Sequence, residues 1–195
     1  MHNKIIILVT GKSGAGKTFF SEYLSIFLDA KHISLDEISH NSLKNAEIMQ
    51  KIQDIFGNDI FVNNKIDRKK LGKIAFTSPE KMKKLNSICQ EYIENQVDEI
   101  ISKTDKKYVV LDYFLICKMK YYEMSKCKIL VSSDVETRFS RLLSRDNVSK
   151  EYLELRENNM PEFDEKTFDF IIRNDGNNDI KPVAKFIADS IKINL

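Results

Sequence analysis

Eight residues near the N-terminus, Gly11-Lys12-Ser13-Gly14-Ala15-Gly16-Lys17-Thr18, satisfy every fixed position of the pattern GxxxxGK[ST]. These residue types at this spacing suit a polyphosphate. Glycines let the backbone turn tightly enough for successive N–H groups to converge on phosphate oxygens, and a helix that follows adds the positive end of its dipole. In such a loop Lys17 reaches the β- and γ-phosphates and the Thr18 hydroxyl is placed to ligate Mg²⁺. The nucleotide-contacting set is expected to be Gly11, Ser13, Gly14, Ala15, Gly16, Lys17, Thr18 and Phe19. A glycine turn that only packs a helix on a strand is the alternative, and it does not require Lys-Thr after the last glycine.

Other chemistry-bearing residues narrow the class. A GTPase needs an NKxD segment after a later strand, and none is present. Asp36 is a carboxylate placed to take a proton from an attacking hydroxyl. Its alternative is an N-cap for a helix beginning at Glu37, and the base is favoured over the cap. His40, one helical turn on, lines or borders the same site or sits on the surface. Asp112 closes an apolar run and reads either as a carboxylate acting on Mg²⁺ or as the cap of a turn. Arg138, Arg141 and Arg145 recur at i, i+3 and i+7, which puts three guanidiniums on one helix face. Such a stripe can neutralise charge on a transferring phosphoryl group, or it can pair within the helix with Asp134, Glu136 or Asp146. Arg156 either joins that cluster or is solvated.

These residues need a scaffold that brings strand ends together. Lys4 to Thr10 is a β-branched run of the kind buried on both faces of a parallel sheet, and Phe19-Phe20, Tyr23-Leu24 and Phe27-Leu28 follow at helical spacing. Further strands are expected at His32 to Leu35, Tyr108 to Asp112, Lys128 to Ser132 and Phe168 to Arg173, with a turn at Asn174-Asp175-Gly176 and a last helix over Val183 to Ile193. The result is a three-layer α/β/α fold on a five-stranded parallel sheet. The stretch from Glu37 to Lys107 holds no convincing strand and reads as a helical insertion, and a second insertion spans Asp134 to Lys166. The expected division is a nucleotide-binding core of 1–36, 105–133 and 167–195, a helical acceptor domain of 37–104 and a lid of 134–166.

The 195 residues are 42% hydrophobic and 31% charged, with six glycines, a composition for one globular domain and against collagen-like or disordered classes. A formal net charge of +2 gives no reason to expect nucleic acid or an anionic membrane as partner. Cys89, Cys117 and Cys127 are odd in number and form no metal-ligand spacing, which fits a reducing cytoplasm. Ile5 to Val9 is too short for a membrane span and lacks the flanks of a signal peptide, so the sequon Asn147-Val148-Ser149 reads as coincidence. Lys65 to Lys84 carries eight basic residues against Asp67 and Glu80, either a solvated face or a polyanion site.

In order and spacing, these pieces resemble the dephospho-coenzyme A kinase family. The resemblance rests on the glycine loop, the segment Ile33 to His40, and Phe56-Gly57 followed by Lys65-Ile66-Asp67-Arg68-Lys69-Lys70-Leu71. Ala75-Phe76, Leu85-Asn86, the Arg138/Arg141/Arg145-Asp146 helix, and Asp169 with Asn174-Asp175-Gly176 complete it. It implies ATP-dependent, Mg²⁺-assisted phosphorylation of the ribose 3′-hydroxyl of dephospho-CoA by a monomer or weak homo-oligomer with that small molecule as partner. Carried over by position, it makes Asp36 the catalytic carboxylate, puts Arg68 in the acceptor motif and Arg138 and Arg141 in the catalytic lid. It also sets Asn174 beside adenine and leaves His40, Asp112 and Arg145 on the acceptor side. Departures gather on that side: Ser34 for a second Asp, Gln90-Glu91 for His-Pro, Phe114 to Lys118 for PLLxE, and Asn63-Asn64 for Asp-Gly. The lid's terminal Gln corresponds to Asn158 or Asn159. A nucleoside or nucleotide kinase of the same architecture, or a non-catalytic ATP-binding homologue, is the alternative reading.

Overall fold

The computed structural model describes residues 4–146, 148–176 and 179–195. The sequon expected to be coincidental begins at Asn147, outside the described residues. Strand β1 (Ile5–Thr10) is almost wholly buried, runs into the glycine loop and is followed by helix α1 (Lys17–Leu28). Next come β2 (Lys31–Ser34) and the helices α2 (Leu35–Ser42) and α3 (Ala46–Phe56). A small hairpin, β3 (Phe61–Val62) and β4 (Lys65–Ile66), leads to α4 (Arg68–Ala75) and the long α5 (Pro79–Lys103). The chain re-enters the sheet at β5 (Tyr108–Asp112), passes the short α6 (Tyr121–Met124) and forms β6 (Cys127–Ser132). Helices α7 (Val135–Asp146) and α8 (Lys150–Glu157), strand β7 (Phe170–Arg173) and helix α9 (Ile180–Asn194) close the chain.

The main sheet has the order β2-β5-β1-β6-β7 and is parallel throughout, as expected. Alternate residues of each strand face opposite layers. Ile6, Leu8, Ile33, Val109 and Leu111 pack under Ile93, Val97 and Ile101 of α5, while Ile7, Val9, Val110, Ile129 and Val131 pack under α1 and α9. Helix α5 starts cleanly because Pro79 occupies its first turn and the Ser78 hydroxyl accepts from Lys81 N–H. Its buried positions Cys89, Ile93, Val97 and Ile101 recur every fourth residue, one stripe against the sheet.

Three expectations are corrected. The segment from Glu37 to Lys107 is not free of strands, because Phe61–Val62 and Lys65–Ile66 pair antiparallel around Asn63 and Asn64, both at positive φ. Asparagine tolerates that region, which makes Asn-Asn a hairpin turn, though two-residue strands leave no alternation to read. The helix after β2 begins at Leu35 with Ser34 as its cap, so Asp36 lies inside the first turn and does not cap. The last strand begins at Phe170, not Phe168, and the last helix runs from Ile180. Among the described residues no helix is long and apolar enough to cross a membrane.

Candidate active site

The C-terminal ends of the parallel strands converge on the glycine loop, the edge at which open α/β sheets bind ligands. Helices α3, α4, α5, α8 and α9 each begin with a side chain that accepts from a first-turn N–H. Helix α1 does not: its cap is Gly16 at φ 90°, with no acidic residue in the first turn. Its N–H groups therefore stay open for an anion. The loop's shape is held from outside. Asn174 Nδ2 donates to Ala15 O at 2.8 Å, Arg141 to Gly14 O at 3.1 Å and Arg138 to Ser13 O at 3.3 Å. Glycine is required where these braces come close, since a Cβ on Gly16 would stand 2.2 Å from Asn174 Nδ2 and one on Gly14 2.8 Å from Arg138 O. Asn174, expected beside adenine, is thus placed against the loop backbone. Thr18 is exposed at the start of α1, and Phe19, 52% exposed, meets Tyr23 edge-on.

Across the loop from its braces, Lys17 Nζ lies 3.8 Å from Asp36 Oδ2. Lys17 is buried, and the Asp36 side chain, in the first turn of α2, is 35% exposed. Burial pushes the Asp36 carboxyl above its ordinary range; Lys17 works against that, the nearby Asp112 adds to it, and Arg156 and Arg145 oppose it. Asp112, at the end of β5, is fully buried, and neither carboxylate oxygen has a hydrogen-bond partner among the described residues. The nearest base is His32, whose Nε2 is 3.8 Å from Asp112 Oδ2.

The surroundings of Asp36 are basic. His40 is held below the usual imidazole range by burial and by the positive charge of Arg68, against the pull of Glu37. Arg145 forms a two-point contact with its neighbour Asp146, at 2.6 and 3.0 Å, the intrahelical pairing named as the alternative for the stripe. Asp146 is in turn held below its usual range, first by that bond, with Arg156 and Arg68 contributing. Arg156 joins the cluster: its guanidinium donates to Ser13 Oγ at 2.9 Å, lies over the Phe76 ring, and has a buried Nε with no partner among the described residues. Tyr113 is 6% exposed beside Asp36, and burial followed by that carboxylate raises its phenol. Lys84 of the basic stretch pairs with Glu80, while Lys70 is exposed on α4.

Arg138 is 3% exposed, its two terminal nitrogens donate to Glu157 at 2.9 and 2.8 Å, and its Nε donates to Ser133 O. A guanidinium so committed to Glu157, Ser133 and Ser13 braces the loop through the Ser13 carbonyl. Sequence reasoning missed Glu157, which also accepts from Lys12 at 3.0 Å, because a lone glutamate at a helix end carries no spacing signal. It missed Tyr113 for a similar reason, an aromatic at a strand end being ordinary core.

A family model for dephospho-CoA kinase matches residues 5–179. The chain belongs to the dephospho-CoA kinase family. It is 31% identical over 155 residues to a dephospho-CoA kinase of Dehalococcoides mccartyi, covering 77% of this chain and 78% of that one. A dephospho-CoA kinase of Streptococcus agalactiae is 30% identical over 196 residues, covering 96% and 97%. The solved dephospho-CoA kinase of Campylobacter jejuni superposes with a TM-score of 0.63 at 29% identity, covering 97% of this chain and 98% of the other. The resemblance read from the loop, acceptor and terminal motifs is borne out, and the architecture of the family is the one described above.

Proposed function

We propose that this chain transfers the γ-phosphoryl group of ATP to the ribose 3′-hydroxyl of dephospho-CoA. The observation that carries the reading is Asp36, in the first turn of α2, facing Lys17 of the glycine loop across 3.8 Å. Asp36 takes the proton of the 3′-hydroxyl, whose oxygen attacks the γ-phosphorus while the bond to the β-bridging oxygen breaks and ADP leaves. Its raised affinity for a proton makes it a stronger base than an ordinary Asp. Lys17 and the arginines around Asp36 compensate the charge of the group in flight, and the loop amides hold the donor in line. Residues 37–104 supply the acceptor site, with Arg68, His40 and Arg145 toward its phosphates, and residues 134–166 serve as the lid. The exposed Thr18 and Asp112, whose carboxylate has no donor among the described residues, fit a divalent cation, offering the oxygen chemistry Mg²⁺ prefers. When bound, Mg²⁺ neutralises charge building on the phosphate oxygens. The three free cysteines fit a cytoplasmic enzyme.

The test is an acceptor panel with purified protein and coupled detection of ADP. ADP released with dephospho-CoA and not with nucleosides or nucleoside monophosphates is the expected result. Turnover with a nucleoside alone would move the chain to a nucleoside kinase, and ATP binding with no turnover on any acceptor would make it a non-catalytic homologue.

A further inference from the structure

The second position of the glycine loop is tied to the lid. Lys12 Nζ contacts Glu157 at 3.0 Å and Glu162 at 2.9 Å, and Glu157 carries the buried Arg138 on its other side. Arg138 reaches from Glu157 to Ser13 O, and Arg156, the residue before Glu157, holds Ser13 Oγ. One turn of α8 therefore grips two consecutive loop residues, Lys12 and Ser13. Helix α8 also meets the end of α4. Tyr152 meets the Phe76 ring edge-on, its hydroxyl occupies the space a Cβ on Gly72 would need, and Asn159 Nδ2 donates to Phe76 O at 3.1 Å.

The physical consequence follows from peptide planarity. In a trans peptide the C=O and the next residue's N–H point in opposite directions. An Arg138 bond to Ser13 O thus fixes the direction of Gly14 N–H, and the Asn174 bond to Ala15 O does the same for Gly16 N–H. Ala15 N–H is spent inside the loop on Lys12 O at 3.2 Å. Arg138 holds its position only while Glu157 balances its buried charge, because a desolvated guanidinium without its partner seeks another anion.

We propose that Glu157 is a positioning residue for nucleotide binding: acting through Arg138 and Lys12, it sets the phosphate loop in its binding shape when α8 is seated. This rests on the reading that the loop takes ATP, and nothing in it depends on the acceptor.

The test is a titration of the whole protein with a fluorescent ATP analogue, without acceptor, alongside steady-state constants for both substrates. Glu157→Gln, which removes the charge and keeps the shape, is expected to weaken ATP about tenfold, and Arg138→Lys, which keeps charge and loses the two-point fork, by about as much. The double variant is expected to lose no more than about twofold beyond either single, since both cut one linkage. Glu157→Asp restores affinity to within about threefold of the parent, and the KM for dephospho-CoA stays within about twofold throughout. ATP affinity unchanged in both folded single variants overturns the proposal. So does an additive loss in the double variant, or an equal rise in both substrates' constants, which is what loosened structure alone would give. Where Glu157→Gln does not fold, Arg138→Lys decides on the same readouts. A parent protein that binds no ATP overturns the nucleotide reading itself, an outcome distinct from all of these.

Discussion

The proposed donor and acceptor sides of the site are built in contrasting ways. On the proposed donor side the main chain faces the phosphates, and the carbonyls of Ser13, Gly14 and Ala15 are held by side chains far away in sequence, Arg138 and Arg141 of α7 and Asn174 after β7. On the proposed acceptor side charged side chains converge with few direct bonds among them: Asp36 feels Lys17, Asp112, Arg156 and Arg145, while among the described residues Asp112 and Arg156 keep buried polar atoms without partners. A backbone site is made by a short local pattern and tolerates little change, because its geometry is covalent. A side-chain site is assembled from helices far apart in sequence, and substitutions there retune the ligand without breaking the fold.

Substitutions sharpen the contrast. Lys17→Ala and Asp36→Asn remove the two groups that meet where the sides join. Lys17→Ala is expected to cost about a thousandfold in kcat, and Asp36→Asn about 10² to 10⁴ with ATP affinity retained, measured by ADP release and nucleotide titration. Gly16→Ala tests the backbone side alone. With φ at 90° and Asn174 Nδ2 2.2 Å from the new Cβ, it is expected to abolish measurable ATP binding and to cost about 1–3 kcal/mol in denaturant unfolding. Arg156→Gln tests the side-chain side and is expected to lower kcat/KM for the acceptor about 10- to 100-fold, with a smaller effect on ATP through the lost Ser13 bond. If Gly16→Ala and Arg156→Gln affected the two substrates alike, the division between the sides would fail.

The smallest effects concern pH. With Asp36 as the proposed base, transfer needs it ionised; its carboxyl is raised above the ordinary range, so kcat/KM should begin to fall at a higher pH than a free aspartate would set as the solution is acidified. For stability the sign is opposite. A carboxyl whose folded-state pKa lies above its unfolded value stabilises the fold below the unfolded pKa and loses that contribution as pH rises through the folded pKa. At neutral pH Asp36→Asn should therefore raise the unfolding temperature by about a few degrees, and the gain should vanish in acid below the ordinary Asp range, followed by calorimetry.

What could be read from the sequence follows the same division. The glycine loop, the five strands and the first and last helices announce themselves through local pattern, since β-branched runs, helical spacing and fixed glycine positions need only neighbours. Asp36 was legible because it follows a strand at the loop's own edge. The hairpin at Asn63-Asn64, the start of α2 at Leu35 and the burial of Arg138 were not, because each is decided by distant contacts. Arg138 has the same spacing as Arg141 and Arg145, and only Glu157, nineteen residues on, and Ser13, on the opposite end of the chain, set it apart from them. Arg156 was left open between cluster and solvent, and tertiary contact with Ser13 and Phe76 settled it.

The most direct measurement is product analysis by mass spectrometry and phosphorus NMR after incubating ATP and dephospho-CoA with the parent protein and with Asp36→Asn, both first shown to bind ATP. A new ribose 3′-phosphate made by the parent and lost about a hundredfold or more in the variant is the expected result. Product formed by Asp36→Asn at the parent rate, or phosphate placed on any other atom by the parent, would contradict it.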